Sequence, residues 1–132
     1  MARVDLNGVS DLSTLKPEDI DSISENYGLK LADRREGIKT NQVRNIFSTV
    51  LALRTKLKTE KGFTEEIHND LVLIKPKLAY AAGRQRNVRP LYELLSLGIT
   101  AAVNSTDQVK GLENFIQLVE SIVAYHKFHG GN

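Results

Sequence analysis

Few side chains in this 132-residue chain have a type and spacing that chemistry can use. The histidines are His68, His126 and His129. His126-x-x-His129 is close-set, and a histidine pair can cut RNA by general acid–base proton transfer. It sits in a glycine-ended tail, with no carboxylate close by in sequence. Packing beside Tyr125 and Phe128 is the simpler use of the pair. A metal site needs more ligands than this, so no metal and no cofactor is expected. With no cysteine in the chain, disulfides, thiolate zinc sites and cysteine nucleophiles are excluded. Nucleophile elbows, phosphate-binding glycine loops and dinucleotide fingerprints are absent. Glu65-Glu66 reads as the first turn of a helix, where acids meet the positive end of the dipole. The expectation is a protein with no catalytic residues, that is, not an enzyme. A small ribonuclease using His126 or His129 stays open as an alternative.

The constellation with functional shape is basic. LVLIKPKLAYAAGRQRNVRPLY, Leu71 to Tyr92, holds Lys75, Lys77, Arg84, Arg86 and Arg89 and no acid. The chain's net charge is only +2, but it is unevenly spread. Residues 1–36 carry five cations against eight acids, residues 37–92 eleven against four, and residues 93–132 two against four. A focused basic field attracts polyanions, nucleic acid above all; the plainer reading is a solvated lysine-rich helix face. Arginine makes bidentate contacts with phosphate, and lysine acts as a point charge. Ala79, Ala81, Ala82 and Gly83 let a backbone come close. Tyr80 at helical spacing is read as core, although its ring can also stack on a base. Without a row of exposed aromatics, base-stacking recognition is not expected. What is expected is sequence-independent tracking of a sugar–phosphate backbone. A helical interaction module whose basic face binds an acidic protein is the other open reading.

The elements that must position these cations are helices, and no strand is expected. Residues 1–16 read as a flexible leader. Pro17 suits a first helical turn, with Glu18, Asp19 and Asp21 near it; this helix should run to about Arg35, weakened by Gly28 inside it and stopped by Gly37. Thr40 is expected to cap a second helix in which Val43, Ile46, Phe47, Val50, Leu53 and Leu57 form one buried stripe. Arg44 and Lys58 lie at the margin of that stripe, and Lys56 nearer the opposite side. Thr64 should cap a third helix that bends or restarts near Pro76, because proline removes a hydrogen bond and crowds the preceding turn. Pro90 opens a fourth, nearly all-apolar helix, and Thr106 or Asp107 caps a fifth. In the fourth, Gly98, Ala101 and Ala102 permit close helix approach. The expected fold is therefore all-α, one compact bundle of about five helices over residues 1–132, the last two at its centre. The N-terminal sequence lacks a signal-peptide core, and no stretch approaches the ~20 apolar residues of a membrane span; a soluble, cytoplasmic protein without membrane contact is expected.

Three stretches carry a resemblance: IKTNQVRNIFSTV at residues 38–50, KPKLAYAAGR at 75–84, and LVESIVAYHKFHGGN at 118–132. In this order they resemble the small helical subunit of type III-A (Csm-type) CRISPR effector complexes. The resemblance implies a small five-helix protein without catalytic activity. It implies stacking of several copies in a filament beside the backbone subunits of a ribonucleoprotein. That complex also holds a large polymerase-like subunit, and the small subunits face the guide RNA–target RNA duplex, touching chiefly the target strand. The family's target-facing basic positions fall on Lys39, Arg44, Lys75 and Arg84. Charge and position add Arg54, Lys58, Lys77, Arg86 and Arg89 as RNA-binding candidates. Thr40 and Gln42 are assigned to capping and packing.

Overall fold

The structure is a computed structural model that describes residues 3–33 and 37–131, without the Thr40 side chain. Helix α1 spans Pro17–Leu31, α2 Thr40–Glu60, α3 Glu65–Val72, α4 Ile74–Arg84, α5 Arg89–Val103 and α6 Gln108–Phe128. Single 3-10 turns occupy Leu12–Thr14 and Arg86–Val88. The described residues form no strand. The fold is all-α, with α3 and α4 as the two halves of one bent helix.

The bend falls at Leu73, between the two halves. Pro76 then becomes the third residue of α4. In an unbroken helix its missing N–H would leave the Val72 carbonyl without a donor; in a first turn, N–H groups have no helical partner in any case. The caps follow the same economy. Thr64 Oγ1 accepts from the Ile67 N–H at 3.2 Å, and Asp107 Oδ1 from the Lys110 N–H at 3.1 Å. Helix α2 differs from expectation, since Lys39 stands at the cap position and Thr40 is already helical. Gln42 Oε1 accepts the Lys39 N–H at 3.0 Å, half of a capping box, which bears out the capping role of Gln42. Helix α1 ends at Leu31, short of Arg35, which lies outside the described residues. The Ile38 N–H returns to the Leu31 carbonyl at 2.9 Å and closes the turn towards α2.

Helices α5 and α6 supply the centre of the core, with Leu95, Ile99, Leu112, Phe115 and Leu118 all fully buried. Gly98 faces Phe115, whose Cδ1 would lie 3.1 Å from an added Cβ. Helix α1 crosses α6 at Gly28, where an added Cβ would lie 2.4 Å from Tyr125 Cβ and 2.9 Å from the His126 backbone nitrogen. The glycine that weakens α1 as an isolated helix is what lets it meet α6.

Packing corrects the reading of residues 1–16 as a flexible leader, of which residues 1 and 2 lie outside the described residues. Leu6, Leu12 and Leu15 are buried in the core. Asn114, itself buried in α6, donates to the Leu12 carbonyl at 2.9 Å. Asp11 accepts from Ser13 Oγ at 2.6 Å and from Thr106 Oγ1 at 2.8 Å, tying the segment to the α5–α6 junction. These hydroxyls, with Ser13 first, lower the Asp11 pKa to about 2. A carboxylate lowered on folding stabilises the native state above its unfolded value and loses that contribution as pH falls through the folded one. Acid titration monitored by circular dichroism should therefore show wild type losing stability between about pH 4 and pH 2, with a shallower loss in Asp11→Asn. Equal slopes would remove Asp11 from the acid response.

Candidate nucleic-acid interface

The nine candidate cations fall into distinct settings. Lys39, Arg44, Lys58, Lys77, Arg84 and Arg86 are exposed and have no acidic partner among the described residues. Arg54 reaches from α2 to Glu120 on α6, with Nη1 3.5 Å from Oε2. Arg89 lies 4.0 Å from Glu93, one turn on in α5. Exposed and half-exposed pairs of this kind contribute ~0–1 kcal/mol, but each shares its guanidinium with an acid. Lys75 is half-buried and donates to Thr100 Oγ1 of α5. It lines a groove of about 660 Å³ with Lys30, Tyr27, Tyr92 and Thr100. The α4 cations do not share one direction. Lys75 turns towards α5, while Lys77 and Arg84 share the other flank.

Helix geometry explains the division. In α4, Ile74 and Leu78 face the core. Residues 77, 80 and 84 follow the i, i+3, i+7 spacing of a single stripe, and Lys75 lies about 160° away from Lys77. In α2, Lys56 bridges Glu66 and Asp70 of α3, and the Asp70 and then Glu66 hydrogen bonds raise its pKa. Lys56 thus marks the flank of α2 that faces α3. Arg44 sits about 120° around the helix from it and Lys58 about 160°, so this pair looks away from α3.

A tertiary junction joins the segment before α2 to the turn after α4. Asn87 Nδ2, in the 3-10 turn, donates to the Gly37 carbonyl at 2.9 Å. His126 Nε2 lies 2.8 Å from the Ile38 carbonyl. A carbonyl only accepts, so Nε2 carries the proton. Both bonds hold the residues just before α2. They set Lys39 beside the turn that carries Arg86, at the positive end of the α2 dipole. Nothing in the sequence near Asn87 signals this role.

The histidines take structural positions. His126 is buried, and a Cβ on Gly131 would overlap its ring at 2.1 Å from Cε1. His129 stacks on Tyr125 at 6.2 Å and meets Phe128 edge-on at 5.1 Å, as packing beside those rings requires. Its Nε2 is 4.0 Å from Glu25. Among the described residues no group of three or more histidine, aspartate or glutamate side chains can hold a metal ion, and no helix is long and apolar enough to cross a membrane.

Tyr80 overturns its sequence reading. It is 68 % exposed, with the Arg84 guanidinium carbon 5.8 Å from its ring centroid. The amphipathic pattern puts the α4 core at Ile74 and Leu78, and Tyr80 lies well round the helix from both.

Comparison with known proteins bears on this surface. Residues 14–132 match the family described as Csm2 Type III-A. The chain belongs to that Csm2 family. The "CRISPR system Cms protein Csm2" of Streptococcus thermophilus is 31 % identical over 94 residues, 71 % of this chain and 74 % of the relative. The protein of the same description from Enterococcus italicus is 26 % identical over 110 residues, 81 % of this chain and 79 % of the relative. The Csm2 match covers α1 to α6 and so includes every candidate cation. It also takes in the acidic α1, beyond the three stretches that carried the resemblance.

Proposed function

We propose that this chain is a non-catalytic, RNA-binding subunit of a cytoplasmic type III-A CRISPR ribonucleoprotein. Copies stack as a filament beside the backbone subunits, in a complex that also holds a large polymerase-like subunit. They hold the target strand of the guide RNA–target RNA duplex through sequence-independent basic contacts. Family membership supports a place among the subunits of such a complex. The observation that carries the RNA reading is the exposed flank of α4 and the turn after it, bearing Lys77, Arg84 and Arg86, none of them bonded to an acid among the described residues. Lys39, held at the adjoining junction, extends it. A grip on backbone alone suits a machine in which base pairing supplies the specificity. The burial of His126 beneath Gly131 supports the non-catalytic part, because substrate has no path to that ring.

The test is the salt dependence of RNA affinity. About four neutralised phosphates on a single strand should give a log–log slope of about −3, from ~0.7 per contact. A flat response would sink the reading. Gentle purification from the native host should bring down a set of defined partner proteins with short RNAs of discrete lengths. A single acidic protein without RNA would support the interaction-module reading instead.

A further inference from the structure

We propose that Tyr80 is a stacking platform for an unpaired RNA base, with Lys77 and Arg84 holding the phosphates on either side. This rests on reading the α4 flank as RNA-binding and goes beyond it, because it adds contact with a base to contact with the backbone. At 68 % exposure, Tyr80 forgoes most of the stabilisation that burying an aromatic ring supplies. It makes no hydrogen bond among the described residues, and the Arg84 guanidinium carbon lies 5.8 Å from its ring centroid. The ring therefore contributes little to the fold where it stands.

Its surroundings fit a nucleotide. Lys77 and Arg84, at i−3 and i+4, are exposed and without acidic partners among the described residues. A Cβ on Gly83 would meet nothing within 4 Å, and Ala79 is small and exposed. No bulky neighbour in the helix fences the ring. Every base has a π face, so stacking on tyrosine is sequence-tolerant and keeps the grip blind to sequence. A protein partner fits less well. The other exposed large apolar residue of the bent helix, Leu73, lies about two turns away, so the ring is not part of a continuous apolar patch. Bases inside a duplex have both faces covered, which restricts the ligand to single-stranded RNA or a duplex end.

The chain contains no tryptophan, so the emission of Tyr80→Trp reports this position alone. The probe is a single-stranded RNA of about 15 nucleotides. Intact RNA should quench the indole, and the same RNA made abasic should not. Tyr80→Ala should bind about tenfold more weakly with an unchanged salt slope, since no phosphate contact is lost, and Tyr80→Phe should bind like wild type. Salt-sensitive binding that is equally tight in Tyr80→Ala would overturn the stacking role and leave the backbone grip standing. No RNA binding by the unaltered chain would overturn both. Emission that follows protein concentration instead of RNA would assign the ring to contact between copies and overturn the proposal.

Discussion

Gly28→Ala is expected to lower the melting temperature by about 8 °C, although alanine is the better helix former by ~1 kcal/mol. The added methyl would lie 2.4 Å from Tyr125 Cβ and 2.9 Å from the backbone nitrogen of His126. Neither atom is the far end of a flexible side chain, so α1 and α6 must separate. Overpacking of this kind costs ~1–3 kcal/mol, and the upper end applies where backbone is involved. The crossing also carries the Tyr125 hydroxyl to Asp21 and the buried Ser24 beneath Leu118, so separation loosens polar contacts as well. Gly83→Ala is the control. Its methyl enters open space, and the helix-forming gain of ~0.5–1 kcal/mol should appear as a small stabilisation. Opposite signs in thermal melts would establish that the α1–α6 crossing, rather than glycine flexibility, is what Gly28 serves. A rise in both would refute the close contact.

Joint reversal of Arg44→Glu and Arg84→Glu should weaken binding to single-stranded RNA by at least about 25-fold at ~0.1 M salt. That figure is two lost phosphate contacts at ~0.7 log unit each, before any repulsion from the new acids. The salt slope should become shallower by about 1.4. Both arginines are exposed and bonded to no acid among the described residues, so helical circular dichroism should be unchanged. A loss of helix would assign them to folding. The two residues look in different directions, on α2 and α4, so measuring them singly separates two surfaces. If only Arg84→Glu weakens binding, RNA follows the bent helix and its junction with α2, and Arg44 belongs to another contact. Arg54→Gln should change affinity much less than either, because Glu120 already engages that guanidinium.

Local chemistry makes much of this legible in the sequence alone. Proline positions set the start of α1, the bend of the third helix and the start of α5, because a ring without an N–H tolerates few places. Thr64, and the choice of Thr106 or Asp107, announced their helices by their side-chain oxygens. The apolar stripe of α2 follows helical periodicity, and burial follows the stripe. Family membership was also present in short motifs. Less was legible of residues 3–16, where three isolated leucines in a polar segment show no periodicity and are buried only because α5 and α6 wait beneath them.

The sequence by itself determined an all-α chain, the order of its helices and the concentration of positive charge between residues 37 and 92. Those follow from interactions within a few residues of one another. Only the tertiary structure decided which cations remain open to a ligand. Glu120 and Glu93 engage Arg54 and Arg89, Thr100 turns Lys75 aside, and Asn87 and His126 hold Lys39 next to the Arg86 turn. Most of these partners are distant in sequence, and periodicity says nothing about which helix packs beside which. The same reason left Gly28 looking like a flaw and Tyr80 like core, since each is defined by what stands across from it, or by nothing standing there.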